Sequence, residues 1–266
     1  MAHAPLPLAP PRRFGETSRR DAWWVQSAVT FAILGAFVVY ATWAAFQGAY
    51  YESGPYLSPF YSPLLFGDST HAWFGPQPAW WPHALPFSAA LLILWAPGGF
   101  RFTCYYYRGA YYKAFWADPV SCAVGEPGFR TTGRYRGERY FPLIVQNVHR
   151  YFLYIALGFL VVLAYDVVKA TRFPDGFGIG VGTLVLAANV VLLGCYTLGC
   201  HSLRHVVGGY LDRLHGRPAR KAAYDCVSCL NRVHMRFAWA SLVSVAFADL
   251  YVRLCAMGIW HDARIF

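Results

Sequence analysis

The chain has 266 residues, of which 57% are hydrophobic, 18% aromatic and 14% charged, with a formal net charge of +10 at pH 7. That balance excludes an ordinary soluble domain and matches a polytopic membrane protein. No nucleic-acid motif accompanies the basic excess, which reads as membrane topology plus attraction to anionic lipid or an acidic partner.

In chain order, the Pro- and Arg-rich residues 1–22 read as a cytoplasmic N-terminal arm. One all-α domain follows over 23–266, a polytopic bundle of five transmembrane helices. A helix needs roughly 20 mostly apolar residues to cross the hydrocarbon core, and five stretches meet or approach that: 24–48, 84–107, 142–168, 179–207 and 234–259. The first is too long for a signal peptide and lacks a convincing cleavage site, so it reads as a retained helix. The second is the weakest, interrupted by "APGGFRF" near Pro97 and Gly98. Between the first two lies the aromatic, Pro-rich loop 49–83. A loop that long is functional or packed as a cap, and its tryptophans and tyrosines suit an interfacial belt.

Basic residues set the orientation. The N-terminal arm holds Arg12, Arg13, Arg19 and Arg20, and segments 101–141 and 204–236 are also rich in Lys and Arg, whereas 49–83 has neither. The positive-inside rule then predicts an inner, cytoplasmic membrane protein with its N-terminus inside and its C-terminus outside. Six of the seven cysteines fall in the inner half, where a reducing compartment argues against a disulfide framework.

The residues that carry chemistry gather at that inner level. His149 falls about two turns into the third span, His201 and His205 in the last turns of the fourth, and His234 at the start of the fifth. Cys104 closes the second span, and Cys200 precedes His201. Spacing of four puts His201 and His205 on one helix face. Ionisable groups inside a membrane are expensive and mark function, and here four helices supply them at one depth. Arg108, Arg150, Tyr107, Tyr151 and Gln146 add cationic, hydroxyl and amide donors, a set that suits the carbonyl oxygens of a quinone. Other polar residues have simpler readings. Cys195 and Cys255 act as small hydrophobes. Cys226 and Cys229 resemble half of a zinc site, yet helical spacing alone accounts for them. Asp249 and Arg253, four residues apart, predict a structural ion pair. A transporter using Asp249, Asn189 and the histidines as a polar path is the rival of another class.

Three short segments carry a resemblance. "QNVHRYF" (146–152) is similar to the Ser-x-x-His-Arg segment of the cytochrome b subunit of succinate dehydrogenase, which opens that family's first span and lines its quinone pocket. "LRHVVGGYLD" (203–212) is similar to the Gly-x-Arg-His-x-x-x-Asp segment closing its second. With "FRFTCYYYRGAYYKAFW" and "CHSLRHVVGG", the chain from about residue 24 onward resembles the five-helix anchor of actinobacterial-type succinate dehydrogenases.

The resemblance implies the membrane anchor of a succinate:quinone oxidoreductase, not catalytic alone. Its partners would be a flavoprotein subunit and an iron–sulfur subunit docked on the basic segments, and its acceptor menaquinone or ubiquinone. Leu198 stands where the cytochrome b subunit has a haem-ligating histidine. The closer family is understood to carry a membrane-embedded Rieske-type [2Fe–2S] cluster instead, with two cysteines on one iron and two histidines on the other. Cys104 and Cys200 are then the expected thiolates and His149 and His205 the expected imidazoles, with His201, His234 and Cys122 in the same pool. Haem b between two histidines is the alternative relay.

Overall fold

The computed structural model describes residues 13, 16–17, 19–82, 87–116, 143–211 and 213–266. Most of the N-terminal arm, and Cys122 with the turn-rich segment around it, lie outside the described residues. Among the described residues, four helices are long and apolar enough to cross a membrane. They are α1 (Val25–Gln47), α5 (His149–Lys169), α6 (Val181–Leu198) and α9 (His234–Ala256). At about 1.5 Å per residue, helices of this length roughly match the hydrocarbon core.

The second expected span is built differently. Residues 89–102 form two short helices, α2 (Ala89–Ile93) and α3 (Trp95–Phe102), followed by α4 (Tyr105–Trp116). Pro97 lies in the first turn of α3, where its missing N–H breaks no helical hydrogen bond, so the chain restarts there. Gly99 then lets α3 approach α5. A Cβ at Gly99 would lie 2.3 Å from the Phe152 ring.

Two other expected boundaries move. The fourth span was expected to run to residue 207, but α6 stops at Leu198 and a separate helix, α7 (His201–Gly208), begins after extended Cys200 (φ −65°, ψ 139°). The break coincides with a change in composition, from the apolar α6 to α7, "HSLRHVVG", with two histidines, a serine and an arginine. A 3₁₀ turn, Leu143–Val148, opens the third span, so His149 is the first residue of its α-helical part and lies five residues inside the candidate crossing Ile144–Lys169, a little less deep than expected. Next along the chain from α7, α8 (Pro218–Arg232) packs against it and leads to α9.

The loop after α1 packs as a cap, as its length and aromatic content predict. Gly48 ends α1 in the left-handed region (φ 60°), and a Cβ there would lie 2.7 Å from the Phe87 carbonyl oxygen. The hairpin β1 (Glu52–Ser53) and β2 (Tyr56–Leu57) follows. Leu57, Phe60, Tyr61 and Leu64 then pack on Ala44 and Ala45 of α1 and on Ala89 and Ala90 of α2. A second hairpin, β3 (Arg172–Phe173) and β4 (Gly176–Phe177), joins α5 to α6 at the same end.

The expected Asp249–Arg253 pair is present and fully buried. Arg253 Nε donates to Asp249 at 2.7 Å, and its other nitrogens donate to the Ala49 and Ala44 carbonyls at 2.9 and 3.0 Å. Tyr40 and Ser58 donate to the same carboxylate. With every neighbour committed, the pair ties α9 to α1 and the cap.

Candidate metal centre

At the end opposite the cap, α3, α5, α6, α7 and α9 converge. Leu34, Phe100, Cys104, Tyr107, Leu153, Tyr196, Cys200 and Leu242 form one buried cluster there. His149 is buried among them, its Nδ1 2.9 Å from the Thr103 hydroxyl oxygen and its Nε2 3.1 Å from Cys200 Sγ. Thr103 spends its own proton on the Gly99 carbonyl at 2.7 Å. Its oxygen therefore accepts from His149 Nδ1–H, which leaves the Nε2 lone pair facing the Cys200 sulfur. The sequence produces this locally: Thr103 reaches back to the last turn of α3, and the extended backbone at Cys200 swings its thiol inward.

Aromatic rings extend the arrangement. Phe100 stacks on His149 with centroids 4.7 Å apart and meets Tyr196 edge-on at 5.5 Å, and Tyr196 stacks on His234 at 4.9 Å. His149 and His234 interact electrostatically, and so do Cys104 and Cys200. Burial pushes the Cys200 thiol up from its ordinary range, with Cys104 adding to it, so the free side chain is a neutral thiol. The Tyr196 hydroxyl and His234 Nδ1 are buried with no hydrogen-bond partner among the described residues.

The structure thus brings together Cys104, Cys200, His149 and, at their side, His234. It sets His201 and His205 apart. They face each other on exposed α7, Nε2 to Nε2 at 3.0 Å. Burial lowers the pKa of His201, and the neighbouring His205 and Arg204 lower it further.

The expected quinone residues also scatter. Gln146 and Tyr107 are buried, and Arg108 lies over the Tyr105 ring at 4.7 Å, but Arg150 and Tyr151 point outward from α5. Cys226 and Cys229 are exposed on α8. Two participants were not singled out from the sequence. Thr103 carries no signal. Arg101, a cation inside the apolar "FRF" run, does. Its Nη1 donates to the Tyr107 hydroxyl and the Ala238 carbonyl, its Nη2 to Ser241, and its guanidinium lies 4.7 Å over the Tyr196 ring.

Chemically, a single ion would need three or four ligands focused on one point. Among the described residues no three His, Cys, Asp or Glu side chains are gathered that way. A two-iron cluster asks for something else, a pair of ligands on each iron. Two buried thiols and two imidazoles, one oriented by Thr103 and one with an unpartnered buried nitrogen, fit that demand.

A family model described as actinobacterial succinate dehydrogenase subunit SdhC matches residues 25–258. A chain in the solved structure of the Mycobacterium smegmatis Sdh1 complex in the apo form is 42% identical, with a TM-score of 0.84 over 97% of each chain. No curated protein matches this sequence. The match over nearly the whole length, on a bundle of apolar helices, places this chain in the actinobacterial succinate dehydrogenase SdhC family, a membrane-anchor subunit that is not itself catalytic.

Proposed function

We propose that this chain holds the catalytic subunits of succinate dehydrogenase at the inner membrane and passes their electrons to a quinone through a Rieske-type [2Fe–2S] cluster. The observation that carries this reading is the group of buried Cys104, Cys200 and His149 with half-buried His234 beside them, drawn from separate elements and ordered by Thr103 and Tyr196. Cys104 and Cys200 would hold one iron, His149 and His234 the other. When bound, the cluster supplies one-electron transfer at a potential that imidazole ligands raise above the all-thiolate range. The chain's own part is to exclude water, fix the His149 tautomer and keep both thiols inside the protein.

In this reading α2 and α3 belong to an interrupted fifth crossing whose freed backbone groups are covered by α5 and the cap. The N-terminus lies in the cytoplasm. The flavoprotein and iron–sulfur subunits dock on the basic residues of α7 and α8. The Mycobacterium smegmatis relative comes from an Sdh1 complex, which supports partner subunits here.

The test is spectroscopic. The purified complex is expected to show a Rieske-like paramagnetic signal without a haem band in the reduced-minus-oxidised spectrum. His149→Ala and Cys200→Ala should each abolish that signal and quinone reduction while leaving dye-linked succinate oxidation intact. A haem band instead would replace the cluster with bis-histidine haem b. Full signal and full quinone reduction in both variants would overturn the site.

A further inference from the structure

A pocket of about 570 Å³ lies where the first two turns of α1 face α4, with Met235 of α9 at its back. The local sequence makes the hollow. On α4, the small residues Gly109, Ala110 and Ala114 alternate with Tyr105, Tyr106 and Lys113, and a Cβ at Gly109 would meet open space. On α1, Gln26, Ser27 and Thr30 recur at helical spacing and turn a polar stripe toward the pocket, in a helix whose remaining length is mostly apolar. Phe31 and Phe115, with ring centroids 4.7 Å apart, join the two helices beside it.

The lining narrows the ligand. Lys113 and Arg19 are its cations, and no carboxylate is found among its described lining residues. Asp21 takes the Nε and Nη2 of Arg19, which leaves Nη1 for another acceptor. An ammonium and a guanidinium beside hydroxyl and amide groups suit a phosphate, which accepts charge-assisted hydrogen bonds from both. Trp23, Tyr105 and Tyr106 also line the pocket, as aromatic residues do at headgroup level. Val29 and Ile33 are exposed on α1 nearby. A free anion would use only the cations, whereas this surface suits a charged head joined to an apolar tail. Basic pockets between membrane helices take anionic lipid headgroups for that reason. None of the described lining residues belongs to α7 or α8, so the pocket is separate from the proposed docking residues of the partner subunits.

We propose that this pocket holds the headgroup of an anionic phospholipid from the leaflet at this end of the bundle. Its phosphate meets Lys113 and Arg19, its glycerol and ester oxygens meet the stripe on α1, and its chains run along Val29 and Ile33. The inference stands apart from the identity of the relay cofactor and from the direction in which the chain crosses the membrane.

The experiment uses the complete complex in phosphatidylcholine nanodiscs that carry either a photoreactive phosphatidylglycerol or the matching photoreactive phosphatidylcholine. The phosphatidylglycerol probe is expected to label α1 between residues 23 and 30 or α4 between 105 and 114, several-fold more than the phosphatidylcholine probe does. Replacing both cations, Arg19→Gln with Lys113→Gln, should lower that labelling about tenfold, since each cation near the surface attracts anionic lipid. Ala110→Trp, which fills the hollow, should lower it as well. Equal labelling by the two probes, or unchanged labelling in the double variant, overturns the proposal. Excess inorganic phosphate is the last arm. Labelling that persists in its presence supports the lipid, and labelling that it displaces would make free phosphate the ligand and overturn the proposal.

Discussion

Asp249 and Arg253 show what one pair of residues contributes inside a membrane. Their spacing of four is plain in the sequence and predicts contact on one helix face. The sequence does not disclose that Tyr40, Ser58 and two carbonyls of α1 and its cap complete the network, because those partners lie some 200 positions away. Breaking a buried pair by removing one member costs about 3–5 kcal/mol, since the other charge is left uncompensated. Arg253→Met should therefore sharply lower the thermal midpoint of the detergent-purified complex, and adding Asp249→Leu should recover part of it. A single variant as stable as the wild type would show the pair to be ornamental. Thr103 is the opposite case. Its neighbours in sequence say nothing of His149, forty-six positions on, and only the packing of α3 on α5 gives it a role.

At the scale of elements, the contact between α3 and α5 decides the site. Gly99 has no side chain where the Phe152 ring passes, and that closeness places Thr103 against His149. Gly99→Ala would force the ring aside, and overpacking of this kind costs about 1–3 kcal/mol. The expected result is a lower thermal midpoint together with a weakened cofactor signal, both largely restored by adding Phe152→Leu. Restoration of neither would mean that the close approach is not what holds the site. "APGGF" announces an interruption in the sequence, and the structure sets it just before the motif, at Leu94, with α3 helical through APGGF itself. The break at Gly199 and Cys200 is marked only by a shift from apolar to polar residues, which does not say in which direction the backbone turns. That turn separates Cys200, which faces inward, from His201 and His205, which stay outside.

At the scale of the whole molecule, the cap, the spanning helices and the C-terminal residues close on one another at the end away from the site. Asp262 accepts from Tyr56, Tyr251 and the backbone N–H of Gly182 in the first turn of α6, where a carboxylate is favoured. His71 lies buried in the cap, facing Glu52 on β1 and Asp166 and Lys169 on α5. Burial, aided by the Lys169 charge, lowers its pKa below the ordinary 6.5, against the opposing pull of Glu52 and Asp166. The unfolded chain then binds a proton on His71 more readily than the folded one does. Its contribution to stability is complete above about pH 6.5 and is lost as pH falls toward the lowered folded value. Thermal melts between pH 5 and 8 should show this decline, and His71→Gln should flatten it. An equal slope in both proteins would assign the pH dependence elsewhere.

Composition and hydropathy by themselves determined that the chain spans a membrane, where α1 and α9 lie, that the loop after α1 packs, and that sulfur and imidazole gather at one end. These follow from local constraints, because a bilayer selects about 20 apolar residues whatever they touch. Short motifs added the family. Which histidines meet the cysteines, which groups Arg101 meets and where the interrupted segments turn were decided by tertiary structure alone. Those outcomes depend on contacts between residues far apart in the chain, such as His149 with Cys200 and Arg101 with Ser241, and no periodicity within a helix encodes the direction from which its neighbour arrives.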